Sequence, residues 1–451
     1  MTISPRMVAA ETLLAIWNGQ QYNNVALKRM LRQNGAMSRQ DRAFVTETVN
    51  GVLRNLYFLD YCIDLAASLP VKKQKPLIQA VLRMGAYQIL FLDVPAFAAV
   101  NESVKITKAR GLGSLSGFVN AVLRKVAQNG RDVPLPDRQK DAAAYLSIRY
   151  SHPVWMLRMW LSQYDVDQVE ALCQADNEPV EVTLMTNTLK TTPQELMARL
   201  TQEGLLVEAG RYVDRALRVK KSADLTALPA FAEGLCYVQD ESSALAALAL
   251  GAKPGERVMD VCAAPGGKSF FLAGEMKDQG QLESRDLHAH KVLLIEEGAK
   301  RLGITLLHAA QQDGRVSLEK EKEAFDRVLL DAPCSGLGLL RKKADIRYRR
   351  TGEDIDALLP LQKELFHVAA EKVRPGGVLV YSTCTLCKKE NEKQREAFLK
   401  AHPEFQPEDL TGVLPASVLG ETGRQGYVTL LPHIHRTDGF FIARFRKKGG
   451  Q

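Results

Sequence analysis

The second half of the chain alternates strand-like and helix-like segments, and this alternation restricts the possible folds more than any other feature. Five short strand-like runs are separated by loops and by longer segments with helical periodicity. Because neighbouring parallel strands need a long crossover, usually a helix, this order predicts a doubly wound, mainly parallel α/β sheet. The predicted strands cover residues 257–261, 281–286, 305–310, 326–331 and 378–383.

The preceding residues predict two further domains. From about residue 4 to residue 126, apolar residues recur at helical spacing without strand-like alternation, so residues 1–130 are predicted to form an all-α domain. Residues 131–235 begin with a linker containing Gly and Pro, continue with helices, and then show short strands and a Thr-capped helix, which predicts a small α+β module. Residues 236–451 hold the predicted sheet.

Charge and cysteine content indicate the class of protein. The chain has a net charge of +8, and the first 130 residues hold 16 Lys and Arg against 7 Asp and Glu. Such an excess either keeps a domain soluble or binds phosphate, and both interpretations are open at this stage. The seven cysteines lack the spacing of a disulfide framework, and no run approaches the ~18 apolar residues of a membrane span. We therefore predict a cytoplasmic protein without a membrane partner.

Candidate ligand-binding residues follow the first three predicted strands, and ligands of open α/β sheets bind beyond the carboxyl ends of the strands. The segment DVCAAPGGK, residues 260–268, has two glycines that allow close approach of a ligand and a helix start that offers N–H groups to a carboxylate or phosphate. A tight turn that binds nothing is the alternative, and the missing GxGxxG pattern disfavours a nicotinamide dinucleotide. Asp286 is placed to accept hydrogen bonds from a ribose, and Asp313 to flank an adenine ring.

Two cysteines follow the last two predicted strands. Cys334 lies in LLDAPCSG, residues 329–336, and Cys384 ends VLVYSTC, residues 378–384. In a parallel sheet both ends open onto one crevice, so the two thiols and Asp331 are expected to converge there. Cys384 and Cys387 also form a CxxC pattern, typical of a redox dithiol or half a zinc site. No second ligand pair occurs, so no metal is predicted.

A basic run, residues 340–350, follows Cys334. A charge run is usually a solvated face, but beside a crevice it is also typical of a strip that contacts phosphate, with Tyr348 able to stack on a base. The candidate RNA contacts in this run are Arg341, Lys342, Lys343 and Arg347.

These motifs resemble the RNA (cytosine-5)-methyltransferase family, the NOL1/NOP2/Sun group. The resemblance rests on DVCAAPGGK, on LLDAPCSGLG followed by RKKADIR, and on LVYSTCTL followed by ENE. The helical first domain is similar to NusB-type RNA-binding domains, a combination found in the bacterial members that act on small-subunit (16S) ribosomal RNA. The resemblance implies a Rossmann-like class I methyltransferase domain that uses S-adenosylmethionine, with 16S ribosomal RNA as partner.

The resemblance also implies roles for individual residues. Cys384 matches the nucleophile and Cys334 the cysteine that helps release the product, with Asp331 beside the base. Cytosine C5 is a weak nucleophile, so a thiolate first adds to C6 and raises the electron density at C5. The positions that match the family's S-adenosylmethionine contacts are Cys262, Ala263, Ala264, Pro265, Gly266, Gly267, Lys268, Asp286, Asp313 and Asp331.

Three alternatives stay open on sequence grounds. The same chemistry could act on tRNA or another RNA. The chain could instead be a non-catalytic RNA-binding factor that kept a methyltransferase fold, although both cysteines and all three acids are present. By analogy with DNA cytosine methyltransferases, which attack with a Pro-Cys thiol, Cys334 rather than Cys384 would be the nucleophile.

Overall fold

The computed structural model describes residues 4–19, 21–92, 94–220 and 225–449. The chain forms two compact units. Unit 1 consists of Met1–Glu178 and Leu340–Arg349, and unit 2 consists of Pro179–Leu339 and Arg350–Gln451. This division differs from the three predicted segments, because the middle segment is shared between the units and a ten-residue piece of the last segment belongs to unit 1.

The described helices of four or more residues are, in chain order, α1 Pro5–Asn18, α2 Asn23–Gln33, α3 Arg39–Arg54, α4 Leu56–Ala66, α5 Pro76–Phe91, α6 Ala96–Ala109, α7 Ser116–Asn129, α8 Ala142–Tyr150, α9 Val154–Leu161, α10 Val166–Ala175, α11 Pro193–Gln202, α12 Pro229–Ala232, α13 Glu241–Leu250, α14 Gly267–Glu275, α15 Ala289–Leu302, α16 Ile346–Arg349, α17 Gly352–Lys372, α18 Glu392–Ala401, α19 Ala416–Leu419 and α20 Pro432–His435. The described strands are β1 Val182–Thr186, β2 Val207–Ala209, β3 Ala216–Val219, β4 Cys236–Val238, β5 Arg257–Asp260, β6 Gln281–Asp286, β7 Leu307–Gln311, β8 Phe325–Asp331, β9 Val373–Thr383, β10 Phe405–Pro407, β11 Tyr427–Leu430 and β12 Phe440–Lys447.

The described part of unit 1 is all-α, as predicted for its first 130 residues. Its helices approach closely where small residues lie at the interfaces: a Cβ on Gly51 would lie 1.8 Å from the Tyr87 ring, and one on Gly85 would lie 2.6 Å from Leu123. Helices α8 to α10 join the same unit rather than the α+β module, and the Phe58 N–H donates to Ser151 Oγ at 3.2 Å. The predicted linker therefore does not end the helical unit.

Unit 2 begins with a small antiparallel sheet. Its strand order is β2-β3-β1-β4, and α11 runs between β1 and β2 along the chain. A capping box starts α11: the Thr192 side chain accepts from the Glu195 N–H, and the Glu195 side chain accepts from the Thr192 N–H. The α+β character predicted for this part of the chain is confirmed.

The large sheet of unit 2 has the order β10-β12-β9-β8-β5-β6-β7, with β11 paired to β12. Strands β5 to β9 are mutually parallel and match the five predicted strands within a few residues, whereas β12 is antiparallel to β9. From β5 the chain proceeds to β6 and β7 on one side and then returns to β8 and β9 on the other. This reversal creates a crevice beyond the carboxyl ends of β5 and β8, where doubly wound sheets bind ligands.

Candidate active site

The loop after β5 leads directly into α14 and leaves the start of that helix without a side-chain cap. Gly266 occupies the N-cap position with φ of 108°, a conformation that side chains rarely adopt. Among the described residues, no side-chain hydrogen bond caps the start of α14. The first N–H groups and the positive end of the helix dipole can therefore bind a carboxylate, as predicted for Gly267 and Lys268.

Cys262, Ala263, Ala264 and Pro265 form the turn itself. The Ala263 N–H donates to the carbonyl of Arg285 at 2.7 Å, and the Gly266 N–H donates to the carbonyl of Ala263 at 2.8 Å. Burial raises the pKa of the Cys262 thiol, and the neighbouring carboxylates of Asp260 and Asp331 raise it further. Cys262 is therefore a neutral thiol that lines the turn.

A chain of buried, hydrogen-bonded side chains connects β6, α14 and the end of β5 beside this loop. Ser284 Oγ donates to Ser269 Oγ at 2.9 Å, and Ser269 Oγ donates to Asp260 Oδ2 at 2.8 Å. Burial raises the pKa of Asp260 to about 7, against the lowering effects of Ser269 and Lys268. Ser284 of the predicted strand 281–286 thus bonds to Ser269 of α14 and, through it, to Asp260 at the end of β5.

Asp286 and Asp313 differ in their surroundings. The buried Asp286 carboxylate accepts through Oδ1 from the His288 N–H at 3.1 Å, and Lys291 Nζ lies 3.6 Å from the same oxygen. Asp313 is more exposed and pairs with Arg315 at 2.6 Å; the hydrogen bonds from Arg315 lower the pKa of Asp313. Among the described residues nothing donates to Asp286 Oδ2, so that oxygen can accept from a ribose hydroxyl.

The two cysteines that were expected to converge are in contact. Cys334 Sγ lies 3.2 Å from Cys384 Sγ, and both cysteines are free and partly exposed. The hydrogen bond to Cys384 raises the pKa of Cys334 well above its usual value, with burial and the negative charges of Cys384, Glu390 and Asp331 acting in the same direction. Either sulfur atom can donate the S–H hydrogen bond that joins the two thiols.

Asp331, at the end of β8, is bonded to the start of α14 and to β9. Its Oδ2 accepts from Lys268 Nζ at 2.6 Å, and its Oδ1 accepts from Ser382 Oγ at 2.8 Å. Burial lowers the pKa of Lys268, but Asp331, Asp260 and Cys384 together raise it above its usual value. Lys268 is thus a largely buried cation beside one carboxylate and one sulfur, where it stabilises negative charge.

Comparison with known proteins decides the family. The family model for the "16S rRNA methyltransferase RsmB/F" matches residues 247–446. The model for the NusB family matches residues 3–128, and the model for an RsmF/B-like ferredoxin-like domain matches residues 152–226. The chain is 40% identical to a Bacillus subtilis protein named "Probable ribosomal RNA small subunit methyltransferase B", over 99% of both chains. The chain belongs to the 16S rRNA methyltransferase RsmB/F family.

The chain is also similar to a second named relative and to a solved structure. A ribosomal RNA small subunit methyltransferase B from Vibrio cholerae is 33% identical over 91% of this chain and 90% of that protein. The crystal structure of PH0851 superposes with a TM-score of 0.82 at 27% identity and covers 99% of this chain and 100% of that one. The predicted family and fold class are confirmed: a NusB-like helical domain, a small α+β module and a Rossmann-like methyltransferase domain. The comparison adds that the α+β module overlaps a ferredoxin-like domain.

The basic run of this RsmB/F family member is divided between two environments within unit 1. Lys342 and Lys343 are exposed, Arg341 is buried, and Arg347 is completely buried. Arg347 Nη1 donates to the carbonyl of Ser151 at 3.2 Å and to Asn177 Oδ1 at 3.0 Å. Arg347, which was predicted to contact RNA phosphate, is therefore enclosed in this structure by carbonyl groups of the protein.

The side chain of Tyr348, which was predicted to stack on a base, also contacts other residues of unit 1. Its hydroxyl donates to the carbonyl of Leu53 at 2.8 Å and lies 3.1 Å from that of Ser151, and its ring contacts the Tyr57 ring edge-on with centroids 5.1 Å apart. Asp345 accepts from the Asn23 N–H at 2.9 Å. Residues 345–348 therefore hold helices of unit 1 together.

Sequence reasoning missed the residues that hold the thiol-bearing loops. Ser382 and Glu390 are buried and bond to the active-site segments, yet no role was predicted for either, although Glu390 begins the ENE of the quoted motif. Within the described residues, no helix is long and apolar enough to cross a membrane, and no group of three or more His, Cys, Asp and Glu side chains is arranged to hold a metal. The cytoplasmic location stays a prediction.

Proposed function

We propose that this protein methylates C5 of a cytosine in 16S ribosomal RNA with S-adenosylmethionine, through a covalent bond between Cys384 and C6 of the base. The observation that carries the proposal is the 3.2 Å approach of the two sulfur atoms beside the pair of Lys268 and Asp331. Methyl transfer to an oxygen or to an exocyclic nitrogen, which are themselves nucleophilic, needs no thiol. Two thiols in contact support a reaction in which a carbon–sulfur bond forms in the first step and breaks in the last step.

The residues at the crevice fit the cofactor. The uncapped start of α14 suits its carboxylate, and the free Oδ2 of Asp286 suits its ribose hydroxyls. S-adenosylmethionine supplies an electrophilic methyl group when it is bound. Asp313 remains the proposed neighbour of the adenine, with Arg315 holding its carboxylate.

Cys384 is the proposed nucleophile and Cys334 the proton carrier. The thiolate is the reactive form of cysteine, and Lys268 contributes positive charge near Cys384. Cys334 stays protonated as long as Cys384 is an anion that accepts its hydrogen bond. This division of roles is the one that the family resemblance implies, and the analogy to DNA methyltransferases would reverse it.

Asp331 is the proposed partner of the cytosine edge. Its side chain pairs with Lys268 and accepts a hydrogen bond from Ser382, and it can accept a further hydrogen bond from the exocyclic amine or from a protonated N3. Such an acceptor orients the base and stabilises the adduct after Cys384 has added to C6.

Product release reverses the first step. Once Cys384 is a neutral thioether, its charge and its acceptor role are gone, so the largest cause of the raised pKa of Cys334 disappears. Cys334 can then lose its proton to water and accept the proton from C5. The electron pair of the C–H bond restores the C5–C6 double bond, the C6–S bond breaks, and Cys384 leaves as a thiolate.

The decisive experiment is methylation in vitro. Purified protein is incubated with unmodified 16S ribosomal RNA and isotope-labelled S-adenosylmethionine, and the nucleosides are separated by mass spectrometry. Label in 5-methylcytidine supports the proposal, whereas label in any other nucleoside contradicts it. Bisulfite sequencing of total RNA from cells with and without the gene identifies the cytosine.

Other substrates are tested in the same assay. Equal or faster labelling of tRNA would replace ribosomal RNA as the substrate while leaving the chemistry intact. Cofactor binding without label in any RNA would favour a non-catalytic RNA-binding factor. Comparing free RNA with partly assembled small subunits shows which form is used.

A further inference from the structure

A buried carboxylate outside the proposed reaction joins the two loops that carry the thiols. Glu390 is completely buried. Its Oε1 accepts from the Ser335 N–H at 2.8 Å, and its Oε2 accepts from the Ser335 hydroxyl at 2.5 Å and from the Thr385 hydroxyl at 3.2 Å. Ser335 follows Cys334 in the chain and Thr385 follows Cys384. One side chain therefore holds the residue next to each thiol.

Buried neighbours extend the same arrangement. Gln362 Nε2 donates to Glu390 Oε1 at 3.0 Å and to the carbonyl of Pro333 at 3.0 Å, so the Cys334 loop is held on both sides of the cysteine. Asn391 Nδ2 donates to the carbonyl of Thr385 at 2.9 Å. The hydroxyls of Ser335 and Thr385 also lie 2.7 Å apart. The two loops are thus joined through several short bonds rather than through one.

Burial of this carboxylate lowers the stability of the fold, and a purely structural role does not explain that cost. Among the residues that the structure describes, no Lys or Arg forms an ion pair with Glu390, and its hydrogen-bond partners are amide and hydroxyl groups. A buried carboxylate without a cation destabilises a fold relative to a neutral group of the same shape. A glutamine could accept some of these bonds without the charge, so the charge itself needs an explanation.

We propose that Glu390 is a positioning residue that holds the thiols of Cys334 and Cys384 at their working separation. The inference rests on the proposed two-thiol reaction. A carboxylate accepts at both oxygens, so it can hold the Ser335 N–H, two hydroxyls and an amide at once, which a glutamine side chain with one acceptor oxygen cannot do. Its negative charge also contributes, after Cys384 and burial, to the raised pKa of the Cys334 thiol.

The test compares Glu390→Gln, Glu390→Asp and the control Glu396→Gln in the full-length protein. Glu396 is an exposed acid on α18 that pairs with Lys393 and lies outside the site. The first measurement needs no RNA: diamide oxidises the thiols, and peptide mass mapping follows formation of the Cys334–Cys384 disulfide. We expect Glu390→Gln to slow formation of this disulfide about 5-fold or more. Once Glu390 no longer joins the two loops, the two sulfur atoms come together less often.

The second measurement separates positioning from folding. We expect Glu390→Gln to lower kcat about 10-fold or more, while the Kd for S-adenosylmethionine stays within about 2-fold of the unchanged protein. Alkylation of Cys334 with iodoacetamide should begin at lower pH in Glu390→Gln, because a negative charge has been removed. Glu390→Asp keeps the charge, so its alkylation profile should stay near that of the unchanged protein.

Several outcomes overturn the inference. Disulfide coupling and turnover in Glu390→Gln equal to those in Glu396→Gln would show that Glu390 does not set the thiol separation. If Glu390→Gln does not fold, Glu390→Asp decides: unchanged coupling in that shorter side chain also refutes the inference. If the unchanged protein modifies no cytosine while Glu390→Gln still slows coupling, the proposed function fails and the positioning role stands.

Discussion

Cys334 and Cys384 are 50 residues apart in the chain, yet their sulfur atoms lie within 3.2 Å of each other. The register of the sheet brings them together: β8 and β9 are parallel neighbours, and Asp331 pairs with Ser382. Cys334 follows the end of β8 by three residues and Cys384 follows the end of β9 by one, so both extend into the same crevice. The active-site geometry is therefore a direct consequence of strand pairing.

The first prediction separates the roles of the two thiols. Cys384→Ala should be inactive and form no covalent complex with RNA, because no sulfur remains to add to C6. Cys334→Ala should still add and transfer methyl but stall before elimination, so a slow-migrating protein–RNA band should accumulate on denaturing gels. A band with Cys384→Ala and none with Cys334→Ala would reverse the assignment.

The second prediction concerns the cofactor. Asp286→Ala should weaken S-adenosylmethionine binding by about 1.5–3 kcal/mol, because the lost hydrogen bonds involve a buried charged acceptor. Asp313→Ala should weaken it less, because that carboxylate is more exposed and already paired with Arg315. Isothermal titration calorimetry of both variants checks the order. Unchanged affinity in Asp286→Ala would remove that residue from the site.

The third prediction uses the raised pKa of Asp260, about 7 in the folded protein. Between about pH 4 and pH 7 the folded state holds a proton that the unfolded state has lost, so this group lowers stability as pH rises through that window. Asp260→Asn should therefore stabilise unit 2 at pH 8, by roughly 2–4 kcal/mol at most. The gain in the stability of unit 2 should shrink toward pH 4, as measured by thermal unfolding over this pH range. A gain independent of pH would contradict the titration of Asp260.

The fourth prediction distinguishes the two environments of the basic run. Arg347→Ala should destabilise unit 1 by about 3 kcal/mol, because buried carbonyl groups lose their donor. Lys343→Ala, the matched surface variant, should leave thermal unfolding unchanged. If Lys343 contacts RNA, this variant should reduce the slope of log affinity against log salt by about 1. Weaker RNA binding by Arg347→Ala without loss of stability would return Arg347 to the RNA surface.

Most of the fold was predictable because its signals are local. Alternating strand and helix segments specify a parallel sheet, and helical periodicity without strands specifies an all-α domain. The positions of Cys334, Cys384, Asp286 and the loop before α14 followed from the rule that strand ends share one edge. The later strands β10 to β12 were not predicted.

The division into units was not predictable in the same way. Residues 340–349 follow a strand of the large sheet but belong to unit 1, and no local pattern shows which surface a charged run will meet. A solvated arginine and a buried one look alike in the sequence, because burial depends on carbonyl groups supplied by distant residues. Arg347, for example, bonds to residues about 170–200 positions earlier.

The sequence alone thus determined the kinds of domains, the order of the central strands and the chemical groups at their ends, because these depend on short-range periodicity and chain direction. Tertiary structure alone decided which groups touch. The contact between the thiols, the pair of Lys268 and Asp331, and the bonds from Glu390 to both loops all join residues on different elements. Such contacts depend on register and packing across the whole sheet, so they exist only once the chain has folded.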